Sequence, residues 1–176
     1  MTTADHAAAA ARTVRLLALD VDGVLTDGRI IYGNAGEELK AFNIRDGLGI
    51  KLLQRAGVEV AIITGRSSAI VSRRAQELGI ADVVQGREDK RSALLELCQR
   101  RAIATSQAAY MGDDLPDLPA VMEAGLGMTV AGAAAAVATA ADWQSSLAGG
   151  AGAVREACEF ILQARGELDS LVADFH

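Results

Sequence analysis

Short, almost unbroken apolar runs alternate along this chain with longer stretches in which apolar residues recur every three or four positions. Residues 15–21 (Arg-Leu-Leu-Ala-Leu-Asp-Val) form one such run, and residues 58–64, rich in β-branched side chains, form a second. Continuous apolar runs of this length predict strands buried on both faces. Residues 82–85, 107–112 and 126–130 are shorter strand candidates. Between them, residues 48–55, 69–78, 91–101 and 116–124 carry the spacing of amphipathic helices, with Gly57, Gly79 and Gly125 where helix C-caps are expected. Strands alternating with helices predict βαβ units and an α/β fold built on a doubly wound, Rossmann-like parallel sheet. One segment breaks the alternation: residues 28–43 read as two short strands around Asn34-Ala35-Gly36, a β-hairpin flap placed directly after the first strand. A last helix is expected over 153–165, ending at Gly166. The chain then divides into a flexible segment 1–13, a domain 14–165 and a polar tail 166–176.

Composition narrows the chemistry. The chain has 176 residues, 51% hydrophobic and 23% charged, enough for one domain with its own core. A net charge of −6 makes nucleic acid a poor partner. The alanine-rich stretches 7–11 and 132–141 lack the flanks or bulk of a signal peptide or a membrane span, so the reading is cytoplasmic, with no membrane partner. Histidine occurs at His6 and His176 alone, which leaves little room for His-based triads or metal sites. Cys98 and Cys158 stand far apart without a CxxC and read as small hydrophobes. Carboxylates, Lys, Thr and backbone remain to do any chemistry.

Four clusters offer those groups. Asp20 and Asp22 end the first strand, two apart and hence on one side of it, where their carboxylates either share a cation or simply terminate the strand in a turn. Thr64-Gly65-Arg66 ends the second strand as either a phosphate cradle or a helix cap. Lys90 opens a helix, where the macrodipole disfavours a cation unless an anion accompanies it. Asp113 and Asp114, adjacent acids after another strand, suit a hard divalent cation, whereas Asp114 or Asp117 also reads as a helix cap. All four fall on the C-terminal side of predicted parallel strands, the edge at which open α/β sheets bind ligands. Together they supply what phosphoryl transfer without histidine requires.

In this order, Asp20-x-Asp22-Gly-x-Leu-Thr26, Thr64-Gly-Arg66, Lys90 and Gly112-Asp-Asp-x-x-Asp117, the motifs resemble those of the haloacid dehalogenase superfamily of phosphatases. The likeness extends over roughly residues 16–166, through Phe42-Asn-Ile-Arg-Asp-Gly-Leu-Gly-Ile-Lys51 and residues 148–158, to the branch acting on 3-deoxy-D-manno-octulosonate 8-phosphate (KDO 8-phosphate), an intermediate of lipopolysaccharide precursor synthesis. That resemblance implies Asp20 as nucleophile, Asp22 as acid and then base, Thr64 and Lys90 as catalytic holders of the phosphoryl group, and Mg²⁺ on Asp20, the Asp22 carbonyl and Asp113. It also implies substrate contacts at Asp22, Asn43, Ile44, Arg45, Asp46, Gly47, Lys51, Gly65, Arg66, Arg74 and Lys90.

Neither the interval 26–57 nor 64–90 has room for a cap domain. An uncovered site would leave its charges in bulk water, so neighbouring subunits of a homotetramer, as in the family, are expected to close it through the hairpin and the tail. Ala151 stands where relatives carry a basic residue, which keeps a nine-carbon, sialic-type sugar phosphate open as an alternative substrate. A phospho-acceptor receiver domain uses similar groups but places its acid pair first and its acceptor mid-chain, the reverse of the order here.

Overall fold

The computed structural model describes residues 3–175, so Met1, Thr2 and His176 lie outside the description. Along the chain run α1 (Thr3–Ala11), β1 (Leu16–Leu19), β2 (Ile31–Tyr32), β3 (Glu38–Leu39), α2 (Ile44–Arg55), β4 (Glu59–Ile63) and α3 (Ala69–Leu78). There follow β5 (Asp82–Val84), α4 (Lys90–Arg101), β6 (Ala108–Met111), α5 (Leu118–Glu123) and β7 (Leu126–Thr129). The last elements are α6 (Ala135–Ala140), β8 (Trp143–Gln144), α7 (Ala153–Ala164) and α8 (Leu168–Ala173).

Six strands form one parallel sheet in the order β5-β4-β1-β6-β7-β8, and β2 pairs with β3 in a separate antiparallel ribbon. Numbered among the parallel strands alone, this is the order 3-2-1-4-5-6, the doubly wound arrangement in which the chain reverses direction across the sheet at β1. The pleat explains why β1 is apolar throughout. Leu17 and Leu19 join one buried cluster with α1, α2, α3 and α7, while Leu16 and Ala18 join a second with α4, α5 and α6. Burying both faces requires apolar side chains at successive positions, and all four β1 residues are buried.

Helix α2 begins at Ile44, before the predicted start, because Asn43 caps it: its side chain accepts the Arg45 N–H at 2.8 Å. Helices α2 and α7 then pack closely. Asp46, 1% exposed, accepts the Arg155 backbone N–H at 2.8 Å and so caps α7 from a neighbouring helix. Gly79 ends α3 in the left-handed conformation, as expected. Gly125 does not cap α5 that way; a side chain there would run into the Ser106 backbone.

Both chain ends differ from the sequence reading. Residues 3–11 of the expected flexible segment form α1, which buries Ala7 and Ala11 against the first cluster. Small side chains give this helix little amphipathic signal, yet they let it sit close to its neighbours. The polar tail contains α8, with Leu168 and Leu171 packed on the same core. Cys98 and Cys158 are free and buried. Among the described residues, no helix is long and apolar enough to cross a membrane.

Candidate active site

The chain's reversal places the ends of β1 and β6 side by side, and these two ends carry the acids. Asp20 follows β1 with its N–H on the Met111 carbonyl at 3.0 Å, so it stays in register with the sheet. Beyond it the chain turns sharply: Val24, Leu25 and Thr26 all direct their N–H groups to the Val21 carbonyl, and Thr26 Oγ1 accepts from Gly23 (3.4 Å) and Gly28 (3.2 Å). Gly23, at φ 97°, is required there twice over, since a Cβ would also collide with the Asp113 carboxylate. The loop 148–150 packs on this turn so tightly that a side chain at Gly149 would meet the Gly23 carbonyl. This accounts for the paired glycines near Ala151.

Lys90 binds the cluster together. Its ammonium lies 2.9 Å from Asp20 Oδ1 and 2.6 Å from Asp117 Oδ1, with both acids and Lys90 itself no more than 5% exposed. Tyr110, wholly buried under the cluster, donates its hydroxyl to the same Asp117 oxygen at 2.7 Å. The other Asp117 oxygen accepts the N–H groups of Asp113 (3.1 Å) and Asp114 (3.2 Å), which shapes the loop after β6. Asp113 is left with Oδ1 buried and without a hydrogen-bond partner. Oxygens of Asp20, Asp113 and Asp117 lie within 4.8 Å of one another.

Charge in this cluster is out of balance. Burial, reinforced by Asp117 and only partly offset by Lys90, pushes Asp20 up to about 7. Burial, with Asp117 and Asp114 nearby, pushes Asp113 up to about 6. For Lys90, burial acts to depress the pKa, but Asp20 and Asp117 outweigh it and hold the ammonium above its ordinary value. Three carboxylates thus share one ammonium, and an all-oxygen donor set with an orphaned buried oxygen fits a hard divalent cation such as Mg²⁺. Asp20 and Asp113 would be its side-chain ligands. The structure adds Asp117 to that cluster, whereas the Asp22 side chain turns away from it.

A cleft of about 680 Å³ opens over these groups, lined also by Asp22, Thr64, Gly65, Arg66 and Glu88. Thr64 is buried at the end of β4, its N–H on the Val84 carbonyl and its hydroxyl facing the Arg66 N–H at 3.4 Å. Asp22 points toward the hairpin, where its Oδ1 accepts from Lys40; Arg66 Nε stands 3.8 Å from its Oδ2. Arg66 also pairs with Glu38 at 3.3 Å. Lys40 and Glu38 were not singled out in the sequence, where both read as polar hairpin positions.

Of the expected site residues, the cleft gathers Asp20, Asp22, Thr64, Gly65, Arg66, Lys90 and Asp113. The α2 set is placed differently. Asp46 and Gly47 are buried between helices, Asp46 capping α7 and Gly47 beneath Arg74. Asn43 caps α2 and donates to the Gly150 carbonyl at 3.1 Å. Ile44 (82% exposed) and Arg45 face outward, Lys51 lies on a separate shallow groove, and Arg74 stacks over Phe42 at 5.8 Å.

Comparison with known proteins accords with this geometry. Residues 44–125 match the family described as haloacid dehalogenase-like hydrolase. The 3-deoxy-D-manno-octulosonate 8-phosphate phosphatase of Escherichia coli K12 is 50% identical over 161 residues, covering 92% of this chain and 86% of that protein. The crystal structure of the enzyme of that name from Moraxella catarrhalis, in complex with magnesium ion, phosphate ion and KDO, is 48% identical. It superposes with a TM-score of 0.96 over 98% of this chain and 99% of its own. The cobalt-bound form from Haemophilus influenzae is 42% identical with a TM-score of 0.88, over 90% of this chain and 93% of that one. With its acids, threonine and lysine gathered at the reversal point of a doubly wound sheet, the chain belongs to the haloacid dehalogenase-like hydrolases, in the family of 3-deoxy-D-manno-octulosonate 8-phosphate phosphatases.

Proposed function

We propose that this protein hydrolyses KDO 8-phosphate to KDO and inorganic phosphate through an aspartyl-phosphate, with Mg²⁺ as cofactor. The observation that carries the reading is Asp20, buried at a strand end with Lys90 on one oxygen and Asp113, whose Oδ1 has no partner, beside it. Asp20 attacks phosphorus while the bond to the sugar oxygen breaks, and Asp22 gives that oxygen a proton. Asp22 then takes a proton from water as the water oxygen displaces Asp20 from phosphorus. Lys90 neutralises charge on Asp20 and the phosphoryl oxygens, and Thr64 with Gly65 holds the phosphoryl group. Mg²⁺ held by Asp20, Asp113 and the Asp22 carbonyl would supply further positive charge to the nucleophile and the phosphoryl group. Arg66 at the cleft mouth suits the anionic sugar acid.

The test is phosphate release from KDO 8-phosphate beside hexose, pentose and nine-carbon sialic-type phosphates, with and without Mg²⁺, using Asp20→Asn as blank. Strong preference for the KDO ester, requiring Mg²⁺ and absent from the blank, is the expected result. Metal-dependent release favouring another ester would keep the mechanism and replace the substrate.

The cleft is open, with no cap in the 26–57 or 64–90 intervals, and closure by neighbouring copies in a homotetramer completes the proposal. Ile30, Ile31, Tyr32 and Leu39 on the hairpin and Phe175 at the C-terminal end are exposed apolar residues available for such contact. The same assembly would give Asn43, Ile44, Arg45, Lys51 and Arg74 a role at a neighbouring site. Light scattering should show a tetramer at micromolar protein; a fully active monomer overturns this part.

A further inference from the structure

Lys40 follows β3 on the hairpin, yet its side chain has no solvent exposure at all. An ammonium withdrawn from water is costly unless it is paired. Its pairing is specific: Nζ donates to Asp22 Oδ1 and lies 3.2 Å from Glu38 Oε1. The bond to Asp22 joins residues 18 apart in sequence, and within this ribbon it links the hairpin to the loop that follows β1. Arg66 approaches the other oxygen, Oδ2, at 3.8 Å from the side of the cleft.

A carboxylate on a short side chain can rotate about its last bond and present either oxygen. Here one oxygen is engaged and the other faces the lining of the cleft. We infer that Lys40 is a positioning residue for proton transfer: by holding Oδ1 of Asp22 it assigns Oδ2 as the oxygen that exchanges the proton with substrate and water. The hairpin and the acid/base are therefore mechanically one unit, and a displaced hairpin leaves Asp22 free to turn. In the first step the sugar O–P bond breaks, the Asp20 O–P bond forms, and the Oδ2 proton passes to the sugar oxygen. In the second, water's oxygen bonds to phosphorus, the Asp20 O–P bond breaks, and a water proton returns to Oδ2.

The inference rests on the reading of Asp22 as acid/base, and the leaving group separates the two. A sugar alkoxide needs a proton to depart, whereas p-nitrophenolate leaves without one. Because kcat/KM reports only steps up to leaving-group departure, the later hydrolysis does not enter it. Lys40→Met should lower kcat/KM roughly 100-fold on KDO 8-phosphate and by less than about 3-fold on p-nitrophenyl phosphate. Lys40→Gln, which keeps an N–H donor without the charge, should show a smaller loss with the same dependence, and it serves if the Met variant does not fold. Equal losses on both esters would mean that Lys40 only supports the hairpin, and no loss on either would mean that it does not position Asp22; each overturns the inference. Asp22→Asn is run in parallel. If it too shows no leaving-group dependence, the acid role itself fails; if it does and Lys40→Met does not, only the present inference falls.

Discussion

The two ends of the parallel sheet are furnished with the same kinds of side chain and reach opposite electrostatic states. At the ends where the strands begin, cations and anions are matched. Arg101 pairs with Asp82 at 2.7 Å and Glu59 at 3.3 Å, and Arg100 reaches Asp82 at 3.4 Å. Arg165 donates to the Val14 and Ala56 carbonyls at 2.9 and 3.3 Å and pairs with Glu167 at 3.0 Å. A depression of about 470 Å³ at that end, between the starts of β4 and β5, is lined by Glu59, Asp82 and Arg101, whose charges are already paired. At the ends where the strands finish, Asp20, Asp113 and Asp117 crowd around one ammonium, and a buried oxygen has no partner. Paired charges at a surface hold a fold together modestly. Buried like charges work against it, so their retention at one end marks where binding energy from outside the chain is expected.

The largest effect that separates the ends should come from Asp113. Asp113→Asn preserves the side chain's shape but removes the charge at the orphaned position. The Mg²⁺ concentration needed for half-maximal phosphate release should rise by at least about 10-fold, with activity largely restored at high Mg²⁺. An unchanged metal titration would transfer that ligand role to Asp117, its neighbour in the cluster.

How far each end could be read from sequence follows from how local its signal is. Asp20, Thr64, Lys90 and Asp113 were legible because each sits within a residue or two of a strand or helix boundary that the apolar pattern already marks. The sheet brings such boundaries together without further information. Helix α1 was not legible because alanines spaced to bury Ala7 and Ala11 look the same as alanines in a flexible arm. The capping role of Asp46 was not legible because its partner, the α7 N-terminus, is more than a hundred residues away. Lys40 was missed for a related reason. Its value depends on the fold of the hairpin over Asp22, and nothing in residues 38–42 distinguishes a buried lysine from a solvated one.

Asp20 and Arg101 test the comparison most directly, because removing a charge should act in opposite directions at the two ends. Asp20 has its folded pKa raised to about 7, above its value in the unfolded chain, so in metal-free protein the folded state keeps the proton longer. Its contribution to stability therefore falls as pH rises from about 4 to about 7, and the full cost of ionisation is present at pH 8. Asp20→Asn should accordingly raise the metal-free melting temperature at pH 8, by roughly 2–6 °C, and by much less at pH 4. Saturating Mg²⁺ should erase the advantage, since the wild-type carboxylate then has its counter-charge. Arg101→Ala removes a paired, partly exposed cation and should lower the melting temperature by about 2 °C at most, with or without Mg²⁺. Its phosphate release should be unchanged, because Arg101 lies at the far end of β5 from the cleft. If Asp20→Asn instead destabilised the metal-free protein at pH 8, the Lys90–Asp20 pair would outweigh the repulsion around it. The two ends would then differ in geometry and not in the sign of their electrostatics.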